Sequence, residues 1–293
     1  MSKLRDGFSS LLWRSGISGR LAEASARKGR FVLVMHGIAP ERDAHLPASV
    51  QPHLTAADMH AILIWLSARY TLLTPAEFLE SAKPGVLLTF DDGFANNAEV
   101  LLPILEEFDA PAVFFISLQH VWDPKNWLPA SREIARSYWQ TEQNVPPEKA
   151  HAYFDGMSMS QLKLCAAHPL ITIGSHTVSH PFLSRIDPKI AEYEVANSKE
   201  ALEKLTEKPV ELFAYPTGDY DRSVVEIAEW AGYRAAFAVD SRHLYAFRYE
   251  IPRIGIYQSD PAYLNLKLSG LYRRPLEPDL TLTQNRAASE KKS

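Results

Sequence analysis

Short apolar runs alternate with amphipathic helical patterns along about 225 residues of the chain, and this alternation is the strongest constraint on its fold. Phe31–Met35, Val86–Phe90, Ala112–Ile116, Leu170–Ile173, Glu211–Tyr215, Ala235–Val239 and Ile251–Ile256 read as strands. Helical spacing lies between them. Thr55 and Asp58 make a helix start, followed by Met59, Ile62, Leu63 and Leu66 on one face. Further helices are expected over about 98–108, over Ser160–Ala167, from Asp187-Pro188 to about Leu205, and over Arg222–Ala231. Glu200 and Lys204 form an i,i+4 pair on the third of these. Strands apolar on both faces imply a parallel sheet covered by helices. An open doubly wound sheet fits the pattern, but the length and the number of units suit an α/β barrel better. In either fold the chemistry gathers at the carboxyl ends of the strands.

Composition narrows the function. The chain has 293 residues with a net charge of −4, which carries none of the basic excess of nucleic-acid binders. A single cysteine, Cys165, excludes an intramolecular disulfide framework and a multi-cysteine zinc site, and its helical setting implies a buried inert thiol. No apolar run approaches the ~20 residues that a membrane-spanning helix needs.

The two ends differ from the body. Residues 1–30 hold seven basic and two acidic side chains, a net +5 against −9 for the rest. Leu4, Phe8, Leu11 and Leu12 form an apolar stripe at helical spacing, interrupted by Gly16 and Gly19. Such a segment either packs on the domain or lies on an anionic lipid surface. Residues 275–293 are polar without periodicity and read as a loose tail, leaving residues 31–274 as the barrel. Residues 119–157 read as an insertion. Its Trp122, Trp127, Tyr138 and Trp139 either wall a sugar subsite or pack the insertion onto the barrel.

The unusual polar residues follow the expected strands: His36 after the first, Asp91 and Asp92 after the second, Ser175 and His176 after the fourth, Tyr215 and Pro216 after the fifth. His176-Thr-Val-Ser-His180 sets two imidazoles four residues apart. With one carboxylate they bind a divalent ion and leave positions open for water and substrate. Adjacent strand residues face opposite ways, so Asp91 and Asp92 are expected to do different jobs, one as ligand and one in proton transfer. Gly93 permits a sharp turn beside them.

Thr89-Phe90-Asp91-Asp92-Gly93 and Ser175-His176-Thr177-Val178-Ser179-His180-Pro181 resemble the first two motifs of the polysaccharide deacetylases (the NodB-homology domain, carbohydrate esterase family 4). Phe213-Ala214-Tyr215-Pro216-Thr217-Gly218 is similar to the third motif of one branch, and Ala231–Ala236 to a stretch downstream of it. The resemblance covers about residues 31–257. It implies a distorted (β/α) barrel that removes N-acetyl or O-acetyl groups from sugars with a bound divalent metal. It further implies Asp91 as general base, Asp92, His176 and His180 as metal ligands, and Tyr215, Pro216 and Thr217 at the substrate, with the Thr217 N–H on the oxyanion. Zinc is the first expectation for the metal; iron, cobalt, nickel and manganese also suit the ligand set.

Three departures qualify the resemblance. Ala214 stands where the third motif usually has Arg, Thr217 where it has Tyr, and the late Leu-x-His motif is missing, His243 being the only later histidine. His36 resembles the histidine of a permuted branch, as in the poly-N-acetylglucosamine deacetylases, and would supply the general acid. Arg253 either takes the place of the missing Arg beside Asp91 or makes a plain salt bridge.

The reading is a metal-dependent deacetylase of an N-acetylated amino sugar in a glycan or lipid-linked precursor. Its alternatives are an O-acetyl esterase, a hydrolase of cyclic amides and an inactive carbohydrate-binding homologue. Without a signal peptide the protein is expected in the cytoplasm, its basic start suiting the inner face of the membrane. Deleting residues 1–29 is expected to weaken binding to anionic vesicles in a flotation assay while leaving the barrel folded; unchanged binding would remove the membrane contact.

Overall fold

The computed structural model describes residues 29–44, 51–126, 128, 153–239 and 248–270. The N-terminal segment to residue 28, Trp127, Tyr138, Trp139, His243 and the stretch from residue 271 lie outside the described residues.

Ten strands are described: β1 (Arg30–Met35), β2 (Ile38–Ala39), β3 (Leu54–Thr55), β4 (Gly85–Phe90), β5 (Ala112–Ile116), β6 (Ile171–Ser175), β7 (Leu212–Ala214), β8 (Ala235–Ala238), β9 (Ile251–Pro252) and β10 (Ile254–Gly255). Eight of them form one parallel sheet in the order β10-β1-β4-β5-β6-β7-β8-β9. Its two ends, β9 and β10, are consecutive in the chain, so the sheet closes into a distorted barrel. β2 and β3 pair separately beside it.

The helices are α1 (Ala56–Ser67), α2 (Pro75–Glu80), α3 (Leu102–Glu107), α4 (Leu118–Trp122), α5 (Met159–Ala167), α6 (Pro188–Thr206), α7 (Arg222–Trp230) and α8 (Pro261–Leu268). Local chemistry explains their starts. Thr55 and Asp58 cap α1 reciprocally, Ser158 and Gln161 do the same for α5, and Asp187 caps α6 with Pro188 at its first position.

Strand alternation divides the apolar side chains into two layers. Phe31, Leu33 and Met35 of β1 pack outward with Met59, Ile62 and Leu63 of α1. Val32, Leu87, Val113, Phe115, Leu212 and Phe237 fill the interior, and Leu73 and Phe78 join them.

Two expected elements differ from their reading. The helix expected over 98–108 opens as a π-helical turn, Asn97–Leu101, before α3. Pro103 has no N–H for the Glu99 carbonyl and its ring crowds that turn, so the Leu102 N–H donates instead to Asn97. The expected strand Ile251–Ile256 divides at Arg253. Ile251 and Pro252 pair with Phe237 and Ala238, whereas Ile254 and Gly255 pair with Leu33 and Val34. One segment therefore serves both edges of the seam.

Gly174, in β6 and opposite Phe115, leaves room for that interior ring. An added Cβ would overlap the ring and sit 3.2 Å from the Leu212 carbonyl oxygen. Gly174→Ala should cost about 1–3 kcal/mol by overpacking. Urea unfolding checks this, and an unchanged midpoint would contradict the tight interior.

Candidate active site

The carboxyl ends of the strands open into a cavity of about 400 Å³. His36 follows β1, Asp91 and Asp92 follow β4, His176 follows β6, Thr217 lies beyond β7, Val239 follows β8 and Ile256 follows β10; all line the cavity.

The expected alternation of Asp91 and Asp92 does not hold. Strand pairing ends at Phe90, and Asp92 takes a left-handed backbone with φ 78°, so both carboxylates line one cavity. Their partners separate them instead. Arg253 reaches Asp91 with both terminal nitrogens, Nη1 to Oδ1 at 2.6 Å and Nη2 to Oδ2 at 2.8 Å. Nη1 also donates to Thr89 Oγ1 at 3.2 Å. Burial works to raise the Asp91 pKa, but Arg253 first, then His176 and His36, outweigh it and hold the carboxyl below the usual carboxylate range. Arg253 is itself fully buried and faces the Phe115 ring at 5.4 Å.

Asp92 faces the two histidines. Its Oδ1 lies 3.3 Å from His180 Nε2 and 3.7 Å from His176 Nε2. Burial opposes ionisation of Asp92, yet His180 first, then His36 and His176, outweigh it and keep its pKa low. His176 Nδ1–H donates to the Ala214 carbonyl at 2.8 Å, which fixes the tautomer and leaves the Nε2 lone pair toward Asp92. Burial, more than any charge, pushes the His176 pKa down to about 4. For His180 burial works downward too, but Asp92 outweighs it and the net shift is upward.

This donor set fits a divalent cation. One ligand atom from each of Asp92, His176 and His180 lies within 4.8 Å of the others, and Asp92 Oδ1 is buried without a hydrogen-bond partner among the described residues.

The other expected residues divide. His36 is half-buried at the cavity wall. Thr217 lines the cavity in a left-handed conformation, φ 56°, and its N–H meets no acceptor among the described residues. Tyr215 is buried away from the cavity, stacked on Tyr220 with its hydroxyl donating to the Tyr249 carbonyl, and Pro216 is buried beside it. Neither lines the cavity, because Tyr215 points into the core as the strand pattern of β7 continues one residue further.

The sequence reading missed the walls. Tyr153 and Phe154 line one side, carried on a strap that hydrogen-bonds along the Asp91-Asp92-Gly93 turn: the Met157 N–H donates to Gly93 and the Ala95 N–H to Asp155. His120, fully buried, sets its ring nitrogens 3.2 Å from the Asp92 carbonyl and 2.9 Å from that of Phe154. His53 and Tyr257 form another side, their rings 5.0 Å apart. Trp122, the described tryptophan of the insertion, is 54% exposed and outside the cavity. Cys165 is buried, and burial raises its thiol pKa to about 12.

Comparison with known proteins gives one family. The model of the polysaccharide deacetylase family matches residues 79–236. The polysaccharide-deacetylase-family protein YxkH of Bacillus subtilis (strain 168) is 25% identical over 211 residues, 69% of this chain and 62% of its own length. The chain thus spans under two thirds of that relative. Similar solved structures include the Streptococcus pyogenes deacetylase PplD in complex with acetate (20% identity, TM-score 0.60, 81% of this chain and 96% of that one). IcaB from Ammonifex degensii is 19% identical, with a TM-score of 0.61 over 83% of this chain and 96% of that one. A Bacillus cereus polysaccharide deacetylase is 21% identical, with a TM-score of 0.60 over 83% and 69%. At these identities they establish the fold.

The lowered pKa of His176 has a consequence for stability. Between pH 6.5 and about 4 the unfolded chain protonates this histidine and the folded protein does not, so stability falls as pH falls through that window. In chelator-treated protein, His176→Gln should flatten the slope of unfolding free energy against pH there. An identical slope in the variant would contradict the burial argument.

Proposed function

The chain belongs to the polysaccharide deacetylase family, and from that premise we propose that it hydrolyses the acetamido group of an N-acetylated amino sugar within a glycan or lipid-linked precursor. The observation that carries this reading is the convergence of Asp92, His176 and His180 beside the Asp91–Arg253 pair in one cavity. A divalent cation held by Asp92, His176 and His180, zinc first among those that suit, would supply Lewis-acid polarisation of the acetyl carbonyl and an activated water.

The chain's own groups do the rest. Asp91, kept ionised by Arg253, accepts the proton of the attacking water as its oxygen bonds to the carbonyl carbon. Arg253 thereby takes the position of the Arg missing at Ala214. The Thr217 N–H donates to the developing oxyanion. His36 protonates the leaving nitrogen as the C–N bond breaks, because an amide anion leaves poorly. The products are acetate and a free amine. The PplD neighbour was solved with acetate, which agrees with this product.

The cavity supports a sugar-sized ligand. Phe94, Tyr153, Phe154 and Tyr257 offer aromatic faces, and no Lys or Arg lines it among the described residues. No described helix is long and apolar enough to cross a membrane. The basic N-terminal segment, residues 1–29, would make a membrane contact at the cytoplasmic face, where a lipid-linked precursor is reached. An O-acetyl esterase would use the same groups; parallel N-acetyl and O-acetyl substrates separate the two.

Acetate release from acetylated glucosamine oligomers should be abolished by chelation and restored by zinc or cobalt. Asp91→Asn should lose at least about 10²-fold in turnover while retaining the metal, and His36→Ala should lose about 10²–10⁴-fold. His180→Ala should lose the metal. Metal-independent release would overturn the mechanism, and full activity in His36→Ala would reassign the acid.

A further inference from the structure

A buried carboxylate that none of these steps uses holds the loop between the two histidines. We propose that Glu194 of α6 is a positioning residue that sets His176 and His180 in ligating geometry; the inference rests on reading Asp92, His176 and His180 as a metal centre.

The loop has an unusual backbone. Thr177 has φ 69° and His180 φ 60°, so two of the five residues from His176 to His180 occupy the left-handed region. Each such non-glycine residue is strained, and it persists only where surrounding contacts hold it. One contact is local: the His180 N–H donates to Thr177 Oγ1 at 2.9 Å. The others come from outside the loop: the Leu118 and Gln119 N–H groups donate to the Thr177 and Val178 carbonyls at 3.1 and 2.8 Å, while the donors of Val178 and Ser179 all end on one side chain. Glu194 Oε2 accepts the N–H groups of Val178 at 2.9 Å and Ser179 at 2.8 Å, and Oε1 accepts the Ser179 hydroxyl at 2.6 Å. Glu194 is 6% exposed, and no Lys or Arg pairs with it among the described residues. Its bonds are to the two residues lying between the left-handed positions. Together with the Leu118 and Gln119 bonds they fix the path from β6, where His176 is anchored to Ala214, to His180.

The location on α6 matters. Glu194 shares the buried stripe of Ala191, Val195, Ser198 and Leu202. The helix that packs on β6 thus carries the loop's fastening, so helix packing is transmitted to the ligand nitrogens. A carboxylate accepts three donors at once; so does a glutamine in part, its oxygen taking both N–H groups while its NH₂ donates to Ser179 Oγ. Alanine offers nothing.

Cobalt(II) titration followed by visible absorption tests this, with circular dichroism of chelator-treated protein checking the fold. Glu194→Ala should bind cobalt about 10–100-fold more weakly than wild type, with an altered ligand-field spectrum. Glu194→Gln should stay within about threefold with the wild-type spectrum, since its hydrogen bonds survive. Ser179→Ala, which loses one arm, should weaken binding about fivefold. Should Glu194→Ala fail to fold, the glutamine and Ser179 variants decide. Wild-type affinity in Glu194→Ala or in Ser179→Ala overturns the positioning role alone. A loss in Glu194→Gln as large as in Glu194→Ala also overturns it, because charge and not hydrogen bonding would then govern. A wild-type protein that takes up no cobalt overturns the metal centre and the inference with it.

Discussion

Both terminal nitrogens of Arg253 rest on the Asp91 carboxylate, fully out of water, at the seam where the barrel closes. The pair has two functions that cannot be separated. Arg253 divides β9 from β10, so its backbone is flanked by ladders to β8 on one side and β1 on the other. Its side chain crosses to the end of β4. Removing one member would leave the other buried and unpaired, which costs about 3–5 kcal/mol. The same contact keeps a carboxylate ionised next to a group of imidazoles. Closure of the fold and the charge state of the site are therefore one constraint.

Around that pair the site is assembled by strand ends. Four staves bring polar residues past their carboxyl ends, His36 after β1, Asp91 and Asp92 after β4, His176 after β6 and Thr217 beyond β7, and the alternating interior layer below keeps water out of the barrel. Backbone that departs from regular geometry is concentrated here: Asp92, Thr177, His180 and Thr217 all have positive φ. These strained residues are held by short-range fastenings. Thr177 holds the His180 N–H, Ala214 takes the His176 ring and Glu194 takes the loop backbone. Ala214 is thus engaged through its carbonyl.

The parallel barrel was legible in the sequence because its strands are short, apolar on both faces and separated by capped helices. Thr55 and Asp58, or Asp187 and Pro188, announce their helices through side-chain chemistry that needs no tertiary contact. The approach of His36, Asp91, Asp92, His176 and His180 to one another was also legible, since each directly follows a strand and parallel strands bring such ends together. The division of Ile251–Ile256 was not, because it depends on closure between elements more than 200 residues apart. The orientation of Tyr215 was lost for a related reason: one further residue of extended backbone decides whether a ring meets the cavity or the core. Glu194 left a signal, an acid on the apolar stripe of α6, but its partners in the loop could not be read from spacing. Tyr153 and Phe154 had none, since the strap that carries them is fastened by backbone hydrogen bonds.

The proposed chemistry stands or falls with a single cation shared by Asp92, His176 and His180. X-ray absorption at the metal edge of zinc-loaded protein reads its ligands. The expected first shell is two imidazole nitrogens and carboxylate or water oxygens at about 2.0–2.2 Å, with the imidazole multiple-scattering signature lost in a protein lacking both histidines. A shell of oxygens alone, or an imidazole signature that survives removal of His176 and His180, would contradict it.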